Sequence, residues 1–139
     1  MSETRHHLVF ACGPSWYAVP AERAEEVVTF PELTRVPGAP AHLLGVFAHR
    51  GEVIPVVDLA ALVGGKPESS SRAVLLRLPR GTMALTASKV AGVSAVSGTF
   101  EPLGQTGVQM YLRGPAKAGV NDVAVIEPEG LFELLSQGG

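Results

Sequence analysis

Apolar runs in this 139-residue chain are short, and glycine or proline cuts each of them. Residues 7–12 (HLVFAC) end at Gly13-Pro14, and residues 16–19 (WYAV) stop at Pro20. Residues 44–49 and 52–59 flank Arg50-Gly51, and residues 73–78 and 82–87 flank Pro79-Arg80-Gly81. Glycine supplies positive φ and proline removes a backbone donor, so this punctuation excludes long helices and suits hairpins. The 16 glycines and 11 prolines follow no three-residue period, which excludes a collagen helix. Hydrophobic residues are 46% and charged ones 17%, the opposite of a disordered composition.

The same reading extends along the chain. Residues 21–26 (AERAEE) read as one or two helical turns, ended by the β-branched run 27–30 (VVTF). Residues 33–36 read as a short strand before the rigid 37–40 loop. Val53, Ile54, Val56 and Val57 form a nearly continuous apolar strand, expected to be buried on both faces. Pro55 within it marks a sheet edge or a bulge. Residues 60–63 allow one helical turn, and 64–71 (GGKPESSS) form a polar linker. Residues 90–96 are apolar, 97–108 read as a loop anchored by Phe100 and Leu103, and 111–118 with 120–126 read as a last hairpin turning at Asn121-Asp122. Pro128 starts a short C-terminal helix over 129–135.

Turn signals thus recur about every 8–12 residues and delimit roughly nine or ten strands, the pattern of an all-β sandwich or barrel. The expectation is one domain over residues 1–139, built from two closely packed small barrels with the strands divided near 64–71. Barrels are favoured because closure removes exposed edges.

Charge and motif content narrow the function. Net charge is −2 with no basic block, so no nucleic-acid partner is expected. No apolar stretch approaches the ~18–20 residues of a membrane span. MSETRHH has no signal core behind it, so a cytoplasmic protein without membrane insertion is expected. The single cysteine, Cys12, lies in an apolar run and reads as a buried small hydrophobe. His6 and His7 are adjacent, and His42 and His49 have no partners at ligand spacing, so no metal is expected. No nucleophile elbow or phosphate loop is present, so neither catalytic residues nor cofactors are assigned. Glu25 and Glu26 read as the solvated face of the short helix. The Arg50-Gly51 turn is different. A tight hairpin normally places Asn or Asp before Gly, because the first residue must tolerate positive φ. Arg is not selected for that geometry; its fork of donors suits recognition of a partner's carboxylate or backbone.

These residues, taken in order, resemble the CheW-like chemotaxis coupling proteins. LVFACGPSWYAVPAERAEEVV at 8–28 is similar to that family's first two strands, short helix and "EV" ending. TRVPGAPAHLLGVFAHRGEVIPVVDL at 34–59 places Gly45-Val46, Arg50-Gly51, Pro55 and Asp58-Leu59 in the family's register. YLRGPAKAGVNDVAVIEPEGLFELL resembles its close, and the resemblance spans residues 7–136. It implies two five-stranded SH3-like barrels with short helices, and a non-catalytic adaptor. The implied partners are the helical-hairpin tip of a chemoreceptor and the CheW-like regulatory domain of a CheA-type histidine kinase, within receptor arrays. It maps receptor and kinase contacts near Arg50 and Gly51, and the kinase-contacting segment onto Ala24, Glu26 and Val27. By position, Val46, Phe47, Val56 and Val90 are expected to line a groove between the barrels.

The chain also departs from the family pattern. Ala48 stands where Asn is usual, Ser88-Lys89-Val90 replaces an acidic "D-x-V", and Trp16-Tyr17 puts two aromatics where one is usual. Trp16 is either an interface anchor or packed across the barrel. The charge reversal at 88–89 leaves open a protein that binds receptor but not kinase. A small β-barrel enzyme or nucleic-acid binder is the remote alternative, since a barrel alone does not exclude either.

Overall fold

The computed structural model describes residues 3–66 and 70–137. The chain opens with β1 (Glu3–Cys12) and β2 (Ser15–Pro20), joined at Gly13 with φ 61°. A 3₁₀ turn, Ala21–Arg23, leads into β3 (Ala24–Thr29). β4 (Leu43–His49), β5 (Glu52–Val57), the single-turn α1 (Leu59–Leu62), β6 (Arg72–Leu78) and β7 (Gly81–Thr86) follow. The chain ends with β8 (Lys89–Pro102), β9 (Leu112–Ala118), β10 (Asn121–Asp122), β11 (Ala124–Ile126) and α2 (Pro128–Gln137).

The strands make two sheets. The first runs β10-β9-β11-β2-β1-β8, and β8 also pairs with β9. The five strands β1, β2, β11, β9 and β8 therefore close into a ring. The second sheet runs β3-β6-β7-β5-β4. Each contains one parallel pair, β11 with β2 and β5 with β7.

The division of strands does not fall near 64–71. β6 and β7, beyond that linker, pair with β3 and β5, while the N-terminal β1 pairs with β8. A polar linker marks a loop but does not choose partners; burial does. In β6, Val74 and Leu76 face one apolar cluster while Ala73 and Leu75 face another, so this strand has to sit inside a sheet. Residues 67–69 of the linker lie outside the described residues.

Three cores result. Val9, Ala18, Val96, Ala116 and Val125 fill the ring, with Trp16 packed against them across the barrel. Val28, Phe47, Ile54, Val56, Leu75 and Ala84 fill the second sheet. Phe10, Val19, Leu76, Leu85, Ile126 and Leu131 belong to the largest cluster, shared between the sheets.

Local corrections have simple causes. Residues 21–26 give a 3₁₀ turn and then a strand, because β3 gains pairing with β6 along most of its length. Residues 33–36 contribute only a bridge, Thr34 to Val46. β8 runs on through Pro102 where a loop was expected, since pairing with β9 takes over from pairing with β1. The last hairpin turns at Gly119-Val120, and Asn121-Asp122 is strand. β5 is not buried on both faces: Val53 is 70% exposed. Pro128 does open α2, and Glu127 Oε2 accepts the Gly130 N–H at 2.6 Å in a capping interaction. Among the described residues, no helix is long and apolar enough to cross a membrane.

Candidate partner-binding site

β4 and β5 are joined by Arg50 and Gly51, with φ of 51° and 83°. Positive φ at both positions defines the tight hairpin turn that matches strand twist. Gly51 adopts it freely, but at Arg50 the left-handed conformation costs roughly 1–2 kcal/mol. The Arg50 side chain is 70% exposed and gains no burial in exchange. Strain without a packing return is characteristic of functional positions.

The guanidinium is placed against β3. Arg50 Nη1 lies 3.2 Å from Glu26 Oε1, and His49 Nε2 lies 3.0 Å from the same oxygen. β3 and β4 are the outer strands of the second sheet, so Glu26 ties together two edges that backbone bonds leave apart. The hydrogen bond from His49, with the nearby Arg50 charge, holds the Glu26 carboxyl below its usual range. Phe47 packs its ring against His49 at 5.8 Å between centroids, which fixes the imidazole from the inner side.

A second polar row runs along the same sheet. Arg77 on β6 donates to Glu25 on β3 at 3.0 Å and to Glu52 on β5 at 2.6 Å. Glu52 also accepts from Thr82 on β7 at 3.1 Å. Arg77 and then Thr82 hold the Glu52 carboxyl below its usual range, and Glu52 and Glu25 push Arg77 up. Glu25 and Glu26 are thus not the solvated face of a helix. The β3–β6 register shifts between Ala24 and Glu26, and each carboxylate reaches its own cation, Glu25 to Arg77 and Glu26 to Arg50.

The expected site residues separate into four groups. Arg50, Gly51 and Glu26 come together in one cluster, with Val27 beside them at 36% exposed. Ala24 and Val90 are half-buried and pack against the same central core. Phe47 and Val56 do not line an open groove: both are buried, Val56 completely, within the second sheet. Strand alternation sends them inward with Ile54, which pairs with Phe47. Val46 is half-buried, and its backbone exchanges two hydrogen bonds with Thr34, each 2.9 Å.

Sequence reasoning missed an apolar groove of about 740 Å³ between the 37–40 loop, β5 and α2. Its walls include Val36, Pro40, Val53, Pro55, Phe132 and Leu135, and Glu52 lies at its polar end. The available signal was the pair Val53 and Pro55, alternate residues that share one face of β5. His49 was missed because a lone histidine carries no motif. Asp58 in the "DL" pair proves structural: it is buried and caps α1, its Oδ1 3.3 Å from the Ala61 N–H.

Comparison with known proteins agrees with this architecture. A CheW-like domain model matches residues 6–135. The chain is 27% identical to "Probable chemotaxis protein CheW" of Rhizobium etli, over 92% of this chain and 87% of that one. It is 33% identical to "Protein FrzA" of Myxococcus xanthus, over 84% and 76% respectively. Its fold is like that of the scaffolding protein TtCheW from Thermoanaerobacter tengcongensis, with a TM-score of 0.79, 94% of both chains covered and 23% identity. With a family match over residues 6–135 and a relative 33% identical over 84% of its length, the chain belongs to the CheW-like family of scaffolding and adaptor proteins.

Proposed function

We propose that this protein is a non-catalytic cytoplasmic adaptor that couples chemoreceptor signalling tips to a CheA-type histidine kinase within receptor arrays. The observation that carries this reading is Arg50: strained backbone, exposed guanidinium, and one nitrogen braced on Glu26. A brace on one nitrogen leaves the outer face of the fork for a partner's carboxylate. The test is binding of Arg50→Glu to a purified receptor signalling fragment and to the kinase regulatory domain. Affinity for at least one should fall tenfold or more, about 1.4 kcal/mol, with the fold intact by circular dichroism. Wild-type binding to both would remove Arg50 from the site.

A second reading, receptor binding without kinase binding, is favoured by Ser88. Its hydroxyl donates to the Ala11 carbonyl at 3.1 Å, and Lys89 beside it is exposed. An ionised carboxylate, usual at this position in the family, accepts only and does not make that bond. Ser88 and Lys89 thus give this surface another charge. Separate pull-downs with the two partners distinguish the readings: capture of both discards the second.

A further inference from the structure

β8 is the longest strand among the described residues, and it is paired on both sides over only part of its length. Residues 89–98 pair with β1, whereas pairing with β9 begins at Ser97. Across residues 89–96, no strand among the described residues is paired to the other side. The backbone groups facing that side form an open template for another strand. The segment is also accessible. Ala91, Ser94 and Ala95 are exposed, Val93 is 61% exposed, and a Cβ built on Gly92 meets nothing within 4 Å.

Other edges of the molecule are guarded. β3 carries Glu25 and Glu26, β4 is bridged by Thr34, and β10 is two residues long with Asp122 paired to Lys117 at 3.0 Å. Residues 90–96 (VAGVSAV) have no charge and no proline, the two commonest protections against edge pairing.

We propose that residues 89–96 of β8 pair antiparallel with the same segment of a second copy, joining two first sheets across a two-fold axis near Gly92 and Val93. A two-fold contact sets each residue against the same short segment, so any charge near the axis would meet its own copy. This segment has none, and its small side chains let two backbones reach hydrogen-bonding distance. With the axis at Gly92, Lys89 falls opposite Ala95 of the other copy, short of Ser97, which β9 already pairs, so the two ammonium groups stay apart. Such a dimer covers Val90, and self-pairing therefore competes with any partner that docks there.

Sedimentation of the full chain from about 1 μM to about 1 mM tests this, a range spanning weak interfaces. Reversible dimerisation is expected, weakened at least ~10-fold by Val93→Lys, because like charges opposed across a strand pair repel. Melting by circular dichroism checks that this variant folds. Val93→Cys reads the same contact without an added charge. It should form a disulfide-linked dimer under mild oxidation, while Val53→Cys, at a position 70% exposed on β5 of the second sheet, should not. A monomer at every concentration, a dimer indifferent to Val93→Lys, or equal trapping through Val53→Cys overturns the proposal. So does protection of the 90–95 amides by an extended peptide but not by the protein's own concentration.

Discussion

The two sheets close in different ways. The first is a ring sealed by backbone pairing of β8 with β9. The second has β3 and β4 at its two ends, tied by side chains: Glu26 to His49 and Arg50. Backbone closure is a cooperative ladder of main-chain hydrogen bonds. Side-chain closure lies at the surface, where a partner's carboxylate or cation can compete for each member. The difference teaches where this molecule can respond to binding without unfolding.

The largest test of that contrast is Gly98→Val. A Cβ there falls 2.2 Å from the Pro115 carbonyl oxygen, so the β8–β9 seal has to separate. Overpacking plus lost pairing should cost about 3 kcal/mol or more, read as a fall in denaturant midpoint. A midpoint within error of wild type would mean that the seal is not what holds the ring.

Acid should separate the sheets next. His7, on β1, is buried and stacked on Phe100 at 5.9 Å, and burial lowers its pKa from 6.5. A lowered folded pKa means that its stabilisation is intact above 6.5 and is lost as pH falls from there through the folded value. Glu26 is also lowered, from 4.5, so its stabilisation persists above that value and is lost only as pH falls through its own, lower folded pKa. The first sheet should therefore loosen before the second rim does. The Tm should drop by several degrees between about pH 7 and pH 5, and His7→Phe should flatten that dependence. An unchanged slope in the variant would move the acid sensitivity elsewhere.

A smaller effect has the opposite sign. Arg50→Asn places a residue suited to positive φ at the turn and should stabilise by up to about 1 kcal/mol while weakening partner binding. Loss of stability instead would mean that the guanidinium contributes more than the strain costs. The smallest stability change is expected for Glu26→Gln. Exposed ion pairs add little, so the midpoint should stay within error while partner affinity falls.

Much of the fold was legible because Gly and Pro act locally: Gly13, Gly51 and Pro128 do at their positions what their chemistry dictates. Partner choice was not, since pairing β1 with β8 depends on contacts 78 to 95 residues apart. Within the site, Arg50 stood out because it breaks the rule for its turn. Phe47 and Val56 were misplaced because the runs 43–48 and 53–57 are apolar almost throughout and hide their alternation. Glu26 was mapped to a contact from the family pattern, but its bond to His49 joins residues 23 positions apart and appears only when the sheet curls.

The order of the strands has one more consequence. The second sheet is encoded without interruption, from Ala24 to Thr86, inside the first. As the chain leaves the ribosome, that inserted unit has every strand it needs once residue 86 has been made. The β1–β2 hairpin, made earliest, must wait for β8, β9 and β11 before its ring can close, which the chain cannot supply until Ile126. The guest is therefore ready before the host, and a nascent chain stalled between them displays the finished Glu26–Arg50 rim on an unfinished base.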